Sequence, residues 1–163
     1  TIKFKGDNIQ TNGNFPKKGA KAPEFSLVGS DLSTISLSKL AGKKVVLNIF
    51  PSVDTSVCAT QLRTFSQKLS GRDDVALVFA SMDLPFAFNR FCAAENISNA
   101  ITASDFRDHS LAKNYGVKMV EGPVAGLYAR AVLVLDENHT IRHAELVNEV
   151  TEEPNYDEAI AAL

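Results

Sequence analysis

The strongest constraint on the fold is a run of six residues with a single polar side chain, Val45-Val46-Leu47-Asn48-Ile49-Phe50. It is rich in β-branched residues and does not alternate polar with apolar, so it reads as a strand buried on both faces, with helices packed against each side of its sheet. The next two segments agree. Residues 56 to 69 carry an apolar helical stripe, and Val75 to Ser81 is a second buried strand. Strand, helix and parallel strand make a crossover unit, which is right-handed in nearly all proteins.

The rest of the chain continues the alternation. Short strands are expected at Phe25 to Val28, Thr34 to Leu37 and Ala100 to Ala103, with helices at Phe86 to Glu95 and at Asp108 to Tyr115, the latter stopped by Gly116. Ala129 to Leu135 and Thr140 to Val147 flank the turn-rich Asp136-Glu137-Asn138-His139, and a last helix comes after Pro154. The opening segment predicts a hairpin, Ile2 to Lys5 and Ile9 to Thr11 around Gly6-Asp7-Asn8, and a polar loop from Phe15 to Pro23 comes after it. The predicted architecture is an α/β three-layer sandwich with a mixed central sheet. Residues 1–163 are expected to form a single domain, with residues 1–15 as an N-terminal hairpin extension.

Charge and cysteine usage narrow the function. The net charge is -2 and the basic residues form no stripe, which argues against nucleic acid. No apolar stretch approaches the length of a membrane span, and two cysteines do not make a disulfide-dense secreted scaffold. A cytoplasmic location is expected, with a removed export signal left open. His139 and His143 are four apart, but a hairpin does not give that spacing a shared face, so no metal site is expected. Gly116, Gly122 and Gly126 match neither a dinucleotide nor a P-loop spacing.

The informative segment is Pro51-Ser52-Val53-Asp54-Thr55-Ser56-Val57-Cys58, between the first buried strand and the helix. Asp54, Thr55 and Ser56 are all good N-cap residues, which places Cys58 in the first turn. Cys58 is in register with Leu62, Phe65 and Leu69, so the sulfur faces the core at the end of the helix that favours an anion. A free thiol is only a few per cent thiolate at neutral pH, and the thiolate is the nucleophile. Making the thiolate dominant requires roughly 3.4 kcal/mol of preferential stabilisation, at ~1.36 kcal/mol per pH unit. A helix end supplies about 0.3 to 1 kcal/mol and at best about 2. A cation must contribute the rest, and an arginine about 4 Å away gives on the order of 4 kcal/mol at an effective dielectric of about 20. Arg63 and Arg72 lie down the helix or beyond its far end; Arg130, at the start of a core strand, is the better candidate.

Pro51-x-x-x-Thr55-x-x-Cys58 is similar to the active-site signature of peroxiredoxins, which have a thioredoxin-like fold. Asn48 to Cys58, Asp83-Leu84-Pro85-Phe86-Ala87, Arg90-Phe91-Cys92 and Ala129-Arg130-Ala131 resemble the bacterial thiol peroxidase subfamily of atypical 2-Cys peroxiredoxins, which also carries an opening hairpin. The resemblance implies that Cys58 attacks hydrogen peroxide or an organic hydroperoxide and that Cys92 resolves the sulfenic acid as an intramolecular disulfide. It implies that the Thr55 hydroxyl bonds the thiolate and the peroxide, that Arg130 holds the thiolate and polarises the O–O bond, and that Pro51 shields the site from water. It also implies reduction by thioredoxin, a homodimer, and no metal or organic cofactor.

Cys92 falls on a second predicted helix, in register with Phe88, Phe91 and Glu95. A disulfide needs Cα atoms within about 7 Å, which sulfurs on two packed helices seldom meet, so one or both helices are expected to unwind during turnover. The aromatic residues Phe86, Phe88 and Phe91 read most simply as core. Two other functions compete. A thioredoxin-like disulfide carrier would share the fold but normally needs Cys-x-x-Cys, which is absent here; a non-catalytic binding module would keep both cysteines as structure.

Overall fold

The alternating apolar runs resolve into nine strands and four α-helices in the computed structural model, which describes residues 1–163. In chain order these are β1 (Ile2–Phe4), β2 (Asp7–Ile9), β3 (Ser26–Gly29), β4 (Thr34–Ser36), β5 (Lys44–Ile49), α1 (Ser56–Lys68), β6 (Val75–Ser81), α2 (Pro85–Ala94), β7 (Ile101–Ser104), α3 (Ser110–Tyr115), β8 (Ala131–Leu135), β9 (Ile141–Leu146) and α4 (Tyr156–Ala161). The seven-stranded sheet runs β4-β3-β7-β6-β5-β8-β9. β5, β6 and β7 are parallel, while β8 and β9 on one flank and β3 and β4 on the other are antiparallel additions.

The buried strand β5 does what its composition demands. Val45, Leu47 and Ile49 point to one face, where they pack with Leu111, Ala112 and Tyr115 of α3. Val46 and the following Phe50 point to the other, against Leu62 and Phe65 of α1, Leu69 just after it, Phe88 of α2 and Ala159 of α4. Helices on both faces of a mixed sheet are the predicted three layers.

Two details differ from expectation. The hairpin turn is Lys5-Gly6 rather than Gly6-Asp7-Asn8, because Ile2 pairs with Ile9 and Phe4 with Asp7. Both turn residues have positive φ, 50° and 86°, as a two-residue turn that matches strand twist requires, and only the second is a glycine. Helix α3 starts at Ser110 rather than Asp108, because the acceptor at its end is the buried Asp105, whose carboxylate takes the N–H groups of Ser110 and Leu111 at 2.8 Å each. Gly116 ends α3 at φ 64°, where a Cβ would lie 2.6 Å from the Gly13 backbone, so both the turn and the close approach exclude a side chain.

Candidate active site

Cys58 lies in the first turn of α1 and is completely buried. It belongs to one buried apolar cluster with Phe50, Val53, Leu62, Phe79, Phe88 and Val132, and Pro51 is also buried. Thr55 is the N-cap, yet its side chain caps nothing: the hydroxyl donates to the Ser52 carbonyl at 2.9 Å. The first N–H groups of α1 therefore keep no intrahelical or capping partner, and their partial positive charge is left for a group in the first turn.

Arg130 immediately precedes β8 rather than opening it, and it reaches the same spot. Its Nη1 donates to Cys58 Sγ at 3.3 Å and to Gln61 Oε1 at 2.9 Å, while Nε donates to the Val150 carbonyl at 3.0 Å. No protein acceptor binds Nη2. The guanidinium is only 2% exposed and enters none of the molecule's six ion pairs. Taking an uncompensated charge out of water costs several kcal/mol, so such a group needs hydrogen bonds and a counter-charge. The hydrogen bonds are present. Tyr156 is near, but burial first and its bond to Glu153 second push its hydroxyl well above the usual range, so it stays neutral. The side chains that face its Nη1 are Gln61 and Cys58.

Sequence reasoning missed the groups that aim the arginine. Gln61 is buried one turn beyond Cys58, and its Nε2 donates to Asn48 Oδ1 at 2.9 Å; Asn48 Nδ2 in turn donates to the Val78 carbonyl at 3.3 Å. Each bond fixes which way the next amide faces, so the acceptor end of Gln61 is turned to Arg130. The signal was there: Asn48 is the one polar residue of an apolar strand, and Gln61 sits beside Leu62 on an apolar stripe. Asp83 was missed as well. It accepts from Ser52 Oγ and the Val53 N–H, both at 2.7 Å, and from Ser81 Oγ at 2.5 Å, which ties the loop after Pro51 to the approach to α2.

Cys92 is on α2, partly buried, and both cysteines are free. Burial pushes the Cys92 thiol up, and no cation bonds to it. Helix α2 is held to the Cys58 region by the Arg90–Asp54 and Arg63–Glu95 pairs and by the Arg63 guanidinium, 5.6 Å from the Phe91 ring centre. Phe88 is core, whereas Phe86 is 64% exposed, contrary to the expectation for that aromatic cluster. The histidines assemble no metal-binding group with cysteines or carboxylates.

Comparison with known proteins decides the family. The model of the Redoxin family matches residues 17–160. The chain belongs to the redoxin family. It is 47% identical over 163 residues to a thiol peroxidase of Leptospira interrogans, covering 99% of this chain and 95% of that one. The solved structure of a peroxiredoxin-like protein from Aquifex aeolicus superimposes with a TM-score of 0.93 at 39% identity, over 98% of this chain and 93% of that one. A thiol peroxidase from Chromobacterium violaceum shares the fold with a TM-score of 0.90 at 21% identity, over 98% and 93% of the two chains. Within the redoxins the chain is therefore a peroxiredoxin of the thiol peroxidase subfamily, with the thioredoxin-like fold and the separate hairpin expected of it.

Proposed function

We propose that this peroxiredoxin reduces hydrogen peroxide and organic hydroperoxides at Cys58, with Cys92 as the resolving thiol. The observation that carries this reading is the buried Arg130, which faces Cys58 Sγ at 3.3 Å and has no carboxylate partner. A guanidinium so placed stabilises a thiolate and leaves Nη2 for a peroxide oxygen. The Thr55 hydroxyl spends its proton on Ser52 and keeps its oxygen lone pairs, so it accepts the peroxide O–H and turns the O–O bond toward sulfur. Pro51 and the apolar wall exclude water.

The thiolate attacks one peroxide oxygen. The O–O bond breaks, the leaving oxygen takes a proton and departs as water or an alcohol, and Cys58 is left as a sulfenic acid. The Cys92 sulfur then displaces that hydroxyl, which leaves as water with the thiol proton, and a Cys58–Cys92 disulfide forms. Thioredoxin reduces the disulfide in this reading, the working unit is a homodimer, and the compartment is the cytoplasm. No helix is long and apolar enough to cross a membrane. Mass spectrometry after one equivalent of hydrogen peroxide tests the assignment. The expected product is a peptide pair linked through residues 58 and 92; two intact thiols after peroxide has been consumed would remove both residues from the mechanism.

A further inference from the structure

The N-terminal hairpin lies outside residues 17–160 that match the family model, yet its contacts lead to the site arginine. Lys3 N–H donates to the Asn148 carbonyl at 2.7 Å and its carbonyl accepts from Val150 N–H at 2.9 Å, so residues 148–150 run alongside β1 through a single parallel bridge. The Glu149 carboxylate closes this arrangement from the other side. It accepts from the Lys5 and Gly6 N–H groups of the hairpin turn at 3.2 and 2.8 Å, and from Thr151 N–H and Oγ1 at 3.0 and 2.9 Å. Those donors, the Thr151 backbone first, hold its carboxyl down at about 2. Beneath, Ile2 and Ile9 of the hairpin form one buried cluster with Met119, Ala129 and Val150. Ala129 precedes Arg130, and the Val150 carbonyl is the acceptor of Arg130 Nε.

We propose that the hairpin, clamped by Glu149, is a positioning element for Arg130: it fixes the Val150 carbonyl that orients the guanidinium toward Cys58. A guanidinium bonded only on the Gln61 and Cys58 side is free to pivot about Nη1. The Val150 carbonyl is a second fixed point, and it belongs to a three-residue segment tied to the hairpin through the Asn148 carbonyl, the Glu149 carboxylate and the Val150 N–H. Glu149 is a positioning residue, because it touches neither sulfur nor peroxide.

This inference rests on the reading of Cys58 and Arg130 given above, and the experiment separates the two. The second-order rate constant of the reduced protein with hydrogen peroxide is measured by stopped flow, well below the unfolding temperature, for wild type, Glu149→Gln, Glu149→Asp and Gly6→Ala. The expected result is a fall of about tenfold for Glu149→Gln, since small misplacements of catalytic groups are costly in rate. Glu149→Asp should recover part of it. Gly6→Ala disturbs only the turn, where a Cβ meets no neighbour within 4 Å but the φ of 86° is unfavourable, and it should fall a few-fold. The diagnostic readout is coupling. In an Arg130→Lys background, which has no Nε to bond Val150, Glu149→Gln should produce no further fall, whereas a merely structural Glu149 would lower the rate equally in both. An unreactive wild type overturns the site assignment and this inference with it. A reactive wild type whose folded Glu149 and Gly6 variants keep its rate constant, or whose Glu149 effect persists in the lysine background, overturns this inference alone.

Discussion

Cys58 and Cys92 are the same chemical group on two helices that touch, and the chain treats them in opposite ways. Cys58 is fully buried in the first turn of α1, beside uncapped N–H groups and 3.3 Å from a guanidinium nitrogen. Cys92 is partly exposed near the end of α2, and burial without a cation pushes its thiol up. Depth alone therefore does not decide which sulfur reacts. Burial beside a fixed positive charge favours a thiolate; burial without one favours the neutral thiol. Under the proposed function the difference suits a two-step reaction, in which the sulfur beside the guanidinium attacks first and the other is brought to it afterwards.

The comparison breaks most sharply when each sulfur is removed. Cys58→Ser should abolish peroxide consumption. Cys92→Ser should react once at close to the wild-type rate, lose thioredoxin-driven turnover, and drift toward sulfinic acid under excess peroxide. Single-turnover stopped flow beside a steady-state assay reads both; sustained turnover in Cys92→Ser would contradict its assignment. A smaller but still large effect is expected from Arg130→Lys. Lysine keeps a charge but loses the planar fork that reaches Cys58, Gln61 and Val150 together, so the rate constant with peroxide should fall about 100-fold. A fall of only two- or three-fold would mean that charge, not geometry, is what Arg130 supplies.

The same contrast shows what was legible in the sequence. Short-range chemistry was readable: the double-sided burial of Val45 to Phe50, the helix start near Thr55, and a stripe that turns Cys58 inward are all set by neighbours within one element. Arg130 was reachable by elimination, since Arg63 and Arg72 sit too far down the helix, and in the structure they pair with Glu95 and Asp74. The Asn48–Gln61 relay, the Val150 carbonyl and the Asp83 tie were not found, because each depends on register between distant segments. A polar residue in an apolar pattern marks a buried partner without naming it. The hairpin was foreseen with its turn displaced, because the left-handed Lys5-Gly6 turn is held by Glu149, which accepts both turn N–H groups across a separation of 144 residues for Lys5.

The smallest effect concerns what keeps the two cysteines apart. Only Pro85 and Phe88 of α2 are buried, so little apolar packing anchors this helix. Its exposed Arg90–Asp54 pair reaches back to the residue before Thr55 and restrains the approach of Cys92 to Cys58. An exposed pair is a weak restraint, so Arg90→Ala should raise the rate of disulfide formation, after sulfenic acid has formed, by about two- to fivefold. The preceding reaction with peroxide should be unchanged, because Arg90 touches neither Cys58 nor Arg130. Hydrogen exchange supplies the structural half of the test. In wild type, residues 86 to 95 should lose protection on oxidation, and in the variant part of that loss should already be present in the reduced protein. If α2 is equally protected in reduced and oxidised wild type, the helix does not unwind to deliver its sulfur, and the meeting of the arginine-bonded sulfur with the one that has no cation would have to come from movement of α1 alone.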